Sequence, residues 1–149
     1  MILRSDVIRK GLLGREPTDR LPSEAYAPDV SGRVFAAIAA RAASCVGAGH
    51  AAIADAVYGK AEQRAQIAGV AVAAGVPFSG IWLHAPLATR MERVSARSGD
   101  ASDADAEVVM RQAAALDRIP TDWCSVRADR PAEKIADEVL AMLGKLRRS

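Results

Sequence analysis

Aromatic side chains are scarce in this chain: two Trp, two Tyr and two Phe make up 4% of 149 residues. Large rings therefore do not fill the interior. Half the residues are apolar and Ala is abundant, which favours closely packed helices on a sheet. Cysteine is equally rare. Cys45 and Cys124 lie far apart without metal-ligand spacing, which excludes a disulfide framework and a cysteine metal site and leaves both as small buried apolar groups. Charge of one sign is also lacking: a net +2 does not describe a nucleic-acid scaffold. No signal peptide opens the chain, and no apolar run nears ~20 residues without a charge or a break, so a cytoplasmic, reduced protein is expected. A phosphate-binding loop of the form G-x-x-x-x-G-K-[ST] is missing as well. Around Gly59-Lys60, Ala54 and Ala61 stand where that loop needs Gly and Ser or Thr. Gly11-Leu12-Leu13-Gly14 and Gly47-Ala48-Gly49 lack the Lys and the preceding strand.

What is present begins at the first residues. The apolar pair Ile2 and Leu3 runs to Asp6, after which Val7, Ile8, Leu12 and Leu13 fall at helical spacing. A carboxylate thus stands where a strand hands over to a helix, the edge at which open parallel sheets bind ligands. Arg9 follows by three residues and shares the first turn. Such a pair suits chemistry in which a hydroxyl loses a proton as a phosphoryl group arrives. Asp6 as a plain helix cap fits the same pattern, and the two readings are compatible. Positive charge clusters locally, at Arg4, Arg9, Lys10, Arg15 and Arg20, at Arg90, Arg93 and Arg97, and in the tail at Lys145, Arg147 and Arg148. Clusters of this kind serve anions or simply face solvent.

The remaining elements follow in order. Residues 17–22 form a polar, proline-bounded loop. Pro28 opens a long helix with Val30, Val34, Ile38, Ala42 and Val46 on one stripe, ended by Gly47 and Gly49. Residues 51–58 read as a strand covered on both faces, with Asp55 near its far end. That acid is either a turn residue or a polar group held at the sheet's ligand edge. A helix over 61–74 turns Ile67, Val70, Ala71 and Ala74 inward. Residues 78–85 make another buried strand ending in His84-Ala85-Pro86, where His84 reads as a packed or partly exposed side chain rather than a catalytic group. Residues 87–98 form a helix with Arg93 and Arg97 on one face. A loop over 99–105 follows, where Ser102 and Asp105 have capping-box form for the next helix. Residues 123–126 read as the last strand. Pro131 starts a closing helix striped by Ile135, Val139, Met142, Leu143 and Leu146.

Arg4-Ser5-Asp6-Val7-Ile8-Arg9, followed by Leu12 and Gly14, resembles the second-strand motif of the small P-loop kinases. These include the phage-type polynucleotide 5′-hydroxyl kinases, the zeta-toxin kinases and bacterial predicted kinases, some fused to an aminoglycoside-phosphotransferase-like domain. The run from Arg93-Val94-Ser95-Ala96-Arg97 through Gln112 resembles that family's lid. The resemblance covers nearly the whole chain and implies one α/β domain over 1–149, a three-layer sandwich with a mostly parallel sheet. The first, central strand and its phosphate loop would belong before residue 1, between the strands ending at Asp55 and Ala85. It implies an ATP- and magnesium-dependent kinase of a hydroxyl acceptor, small or nucleotide-like. Asp6 would be the base, Arg93 and Arg97 catalytic lid residues, and Arg4, Arg9 and Asp55 substrate-side groups. With no resident metal site and no phosphate loop, the chain by itself is expected to be inactive. The alternative is a non-catalytic, kinase-like binding or oligomerisation module. Either way, unpaired strand edges lead to an expected homo-oligomer, and Asp6, Arg9, Asp55, Arg93 and Arg97 are expected to approach one cleft.

Overall fold

The structure is a computed structural model that describes residues 1–96, 102–115, 120–121 and 123–146. Arg97, Gly99, Asp100, Arg147 and Arg148 lie outside the described residues. The chain divides into two compact units: Met1–Phe78 with the described part of Ser98–Asp103, and Ser79–Arg97 with Ala104–Ser149.

In the first unit, strand β1 (Ile2–Arg4) pairs in parallel with β2 (Ile53–Asp55), in the register Ile2 to Ile53, Leu3 to Ala54 and Arg4 to Asp55. Helix α1 (Ser5–Leu12), a 3-10 turn (Ser23–Tyr26) and helix α2 (Pro28–Gly47) make the crossover between them, and α3 (Ala61–Ala74) follows β2. Pro28 opens α2, where its missing N–H costs nothing. Val34, Ile38, Ala42 and Cys45 form the buried stripe of α2. Cys45 replaces the expected Val46 because 3.6 residues per turn drift away from a strict spacing of four. By length and composition α2 could cross a membrane. It carries Arg33 and Arg41, and its buried stripe packs toward α1, α3 and β1.

α1 ends in a Schellman arrangement: the Arg15 N–H reaches the Lys10 carbonyl at 2.9 Å and the Gly14 N–H reaches Gly11 at 3.2 Å. Gly14 sits at φ +66°, a conformation that glycine adopts without strain.

Two expectations are corrected here. Strand β2 spans three residues rather than eight, and it is not covered on both faces. Leu3 is buried at 4% exposure, whereas the cross-strand pair Ile2 and Ile53 is 67% and 61% exposed. Among the described residues of this unit, α1 and α2 pack on the sheet and α3 packs on α2, leaving the Ile2–Ile53 face open. Asp6 is also not the helix cap. Arg4 occupies that position without a side-chain capping bond to the helix, and Asp6 lies inside the first turn, where a carboxylate is favoured by the helix dipole.

In the second unit, β3 (Ile81–His84) pairs in parallel with β4 (Cys124–Arg127), with His84 opposite Arg127. α4 (Leu87–Ala96) packs on α5 (Ala106–Ala115), and α6 (Ala132–Leu146) on β4. Val126 is fully buried. The capping-box expectation for Ser102 is corrected too. Asp105 itself caps α5, its Oδ1 accepting the Val108 N–H at 2.9 Å.

Gly80, just before β3, is required by close approach: a Cβ there would lie 2.5 Å from the Trp123 ring. Gly80→Ala should therefore displace the indole and cost about 1–3 kcal/mol, the usual penalty of overpacking. Urea unfolding followed by tryptophan fluorescence measures it, and an unchanged midpoint would refute the contact.

Candidate functional site

The polar groups of the first unit gather around α1. The sequence pattern of this helix puts Ile8 inward, and Ile8 is 2% exposed. Arg9 and Lys10 are buried beside it, at 6% and 0%. Buried charges must be paired or hydrogen-bonded, and both are. The Lys10 ammonium donates to the Pro17 carbonyl at 3.0 Å and to Asp103 Oδ1 at 3.1 Å. Arg9 donates to the Ala25 carbonyl at 2.8 Å and to Ser31 Oγ at 3.4 Å, and its guanidinium lies 4.7 Å from the Tyr26 ring centroid. Its Nε is buried with no hydrogen-bond partner among the described residues.

Asp103 is the point where these segments meet. Besides Lys10, its carboxylate accepts the Tyr26 hydroxyl at 2.6 Å and the Leu21 N–H at 3.2 Å. Burial pushes the Asp103 carboxyl up, but the bonds from Tyr26, Lys10 and Leu21 and the Lys10 charge outweigh it, so the group is held below the ordinary carboxylate range. The same contact, with burial as the larger cause, keeps the Tyr26 phenol protonated well above its usual range.

Asp6 has the opposite environment. It is half-buried at the carboxyl end of β1, and desolvation raises it above the ordinary carboxylate range. A hydrogen bond from the Ser102 hydroxyl and the charges of Arg4 and Arg9 oppose that rise, and the Asp103 charge adds to it. On the neighbouring strand Asp55 faces Arg4, with Arg4 Nε 3.7 Å from Asp55 Oδ2. Beyond β2, burial and then the Asp55 charge push the Tyr58 phenol up to about 12.

Of the residues expected to form a site, Asp6, Arg4, Arg9 and Asp55 come together at the carboxyl edge of the β1–β2 pair. Arg9 is not turned to solvent; it braces the 3-10 turn. Arg93 belongs to the second unit and donates to the Ala128 and Arg130 carbonyls, tying α4 to the segment after β4. Arg97 lies outside the described residues. In that second unit a cavity of about 520 Å³ opens at the carboxyl ends of β3 and β4, lined by His84, Ser125, Arg127, Asp129, Arg130 and Glu138. Its charges are satisfied in pairs, Arg127 with Asp129 and Arg130 with Glu138.

The sequence pattern did not single out Lys10, Tyr26, Ser102 or Asp103 as site residues. Lys10 reads only as a member of the early positive cluster, and its partner is 93 positions away. The available signal was a tyrosine in a chain that has only two.

Chemically, the cluster offers a desolvated carboxylate beside two guanidinium groups, Arg4 facing Asp55 and Arg9 bonded to the 3-10 turn. Among the described residues no three His, Cys, Asp or Glu come together as a metal-binding group.

The raised Asp6 pKa fixes a sign. A carboxyl whose folded pKa lies above its unfolded value opposes folding when ionised, and this cost disappears as pH falls through the folded pKa. Asp6→Asn should therefore raise the urea midpoint at pH 7 and reduce the stability gained by acidification. Loss of stability at pH 7 would contradict the assignment of Asp6 as a desolvated carboxylate.

No curated protein matches the chain. The model of a protein family described as an AAA domain matches residues 1–119, from β1 through α5, and so takes in the whole cluster around Asp6. With most of its length matched, the chain belongs to this AAA domain family, a P-loop kinase-like family of nucleotide-binding proteins.

Proposed function

We propose that this chain carries the acceptor side of an ATP-dependent phosphotransferase, with Asp6 as the base that takes the proton from an acceptor hydroxyl. The observation that carries this reading is the position of Asp6: desolvated, on the first turn after β1, at the ligand edge of a parallel strand pair. A carboxylate whose pKa is raised above its ordinary range is a stronger base than one in water. The attacking oxygen gives its proton to an Asp6 oxygen. Arg4 and Arg9 hold positive charge beside it, which favours the ionised carboxylate and opposes the rise caused by burial.

The residues present do not fit the triphosphate and its magnesium ion. Residues 1–149 contain no G-x-x-x-x-G-K-[ST] run, and the described residues gather no metal-binding group. The phosphate-binding part is therefore assigned to residues outside this stretch, in a strand–loop–helix element of roughly 30 residues. Strand pairing supports that reading. Each unit holds a two-stranded parallel sheet, β1 with β2 and β3 with β4, and two-stranded sheets are marginal by themselves. Until that element is supplied, the open Ile2–Ile53 face supports association with a second copy.

Two outcomes are expected. The 149-residue chain should not turn over ATP at a measurable rate, since residues 1–149 contain no G-x-x-x-x-G-K-[ST] run to cradle the β- and γ-phosphates. Saturable turnover abolished by Asp6→Ala would overturn this. An N-terminally extended chain carrying the missing element should sediment as a monomer and bind ATP with magnesium. An extended chain blind to ATP in a calorimetric titration would refute the kinase reading.

A further inference from the structure

We propose that Asp103 is the positioning residue of this site, clamped by Lys10, Leu21 and Tyr26 so that it seats the neighbouring Ser102 hydroxyl on the Asp6 carboxylate. Three segments donate to this one carboxylate: the end of α1 through a fully buried ammonium, the loop after it through a backbone N–H, and the 3-10 turn through a phenol. A side chain that only capped its own helix would not draw donors from three places 77 to 93 positions away. The helix that follows is capped by Asp105 instead, so Asp103 is free of that duty. Its immediate neighbour Ser102 is the hydroxyl that bonds Asp6.

The consequence for Asp6 is one of orientation. An ionised carboxylate has about four acceptor sites. One hydroxyl held on it fixes the rotation of the group and leaves other lone pairs facing the acceptor, which is what a base that must meet a proton at hydrogen-bond distance needs. The charged and titratable groups facing Asp6 are Arg4 on β1, Arg9 on α1, Tyr26 on the 3-10 turn and Asp103 itself, with Asp55 on β2 reaching it only through Arg4. Ser102, which bonds Asp6, is neither charged nor titratable, so its contribution can be removed without altering any charge.

This inference rests on Asp6 being the base, but its test needs no phosphate transfer. The Asp6 carboxyl carbon of the ¹³C-labelled 149-residue chain is titrated by NMR. Ser102→Ala should shift the Asp6 titration upward, and Ser102→Thr, which keeps the hydroxyl, should restore it.

Asp103→Asn separates positioning from plain electrostatics by sign. The Asp103 charge raises Asp6 directly, so neutralising it would on that account move Asp6 downward. If Asp103 seats Ser102, the lost hydrogen bond moves Asp6 upward instead. In the Ser102→Ala background no seat is left to lose, and Asp103→Asn should then move Asp6 downward. Should Asp103→Asn fail to fold with Lys10 left unpaired, Lys10→Met with Asp103→Leu removes both buried charges, and the same upward shift is expected. A downward shift or none in these single-background variants, or an Asp6 unmoved by Ser102→Ala, overturns the proposal. A kinase that fails to bind ATP would leave these titrations as they are, so the two readings fail separately.

Discussion

A fully buried ammonium sets the terms for the first unit. Lys10 has no exposed surface, and an unpaired charge in that position would cost several kcal/mol. Its acceptors have to be brought to it, and they come from two directions: the Pro17 carbonyl from the loop after α1, and Asp103 from far along the chain. The chain turns back after Gly14 for the first. Once Asp103 is in place it also satisfies the Leu21 N–H and the Tyr26 hydroxyl. Tyr26 in turn presents its ring to Arg9, whose remaining donors hold the 3-10 turn. Removing the first pairing would strand each later one.

Two neighbouring carboxylates, Asp103 on this ammonium and Asp6, are driven in opposite directions. Asp103 is surrounded by donors and is held ionised; Asp6 is desolvated and raised. Where neighbouring acids are pushed apart in this way, the one with the perturbed, raised value is available for proton transfer and the other serves structure. The linkage signs differ accordingly. Asp103 has a depressed folded pKa, so it contributes stability that is present above its unfolded pKa and lost as pH falls through the folded one. Asp6 releases an opposing cost as pH falls through its raised folded pKa. The unit therefore combines a group that tolerates protonation with a group that does not.

The local pattern made the elements legible. A strand passing into a helix at Asp6, the proline that opens α2, the glycines that close the helices and the order of four strands could all be read from periodicity and punctuation. The carboxyl-edge position of Asp6 and Asp55 followed from the same rule. Three things could not be read that way. Arg9 points into the fold, because a guanidinium three residues after an acid looks the same whether it faces a ligand or a turn contributed by residue 25. Lys10 and Asp103 are joined across 93 positions, and no spacing rule reaches that far. Coverage of the strands was overestimated, since an apolar run such as residues 51–58 reports that side chains avoid water and not which element shields them.

That overestimate bears on the proposed reading. Parallel pairs ordinarily have both faces covered, and two-stranded sheets are marginal by themselves. Here the cross-strand pair Ile2 and Ile53 stays mostly in solvent. Burying an isoleucine side chain fully contributes about 1.5–3 kcal/mol, so leaving two of them open forgoes a large part of what a small unit can gain against a total stability of about 5–15 kcal/mol. The sequence nevertheless keeps isoleucine at both positions, opposite each other and on the face away from α1 and α2. Polar residues there would cost nothing if the face were meant for water. An apolar pair in register, on the strands that carry Asp6 and Asp55 to their common edge, is what a further helix or strand would require, and under the proposed function the element that packs there is the one that brings the phosphate loop.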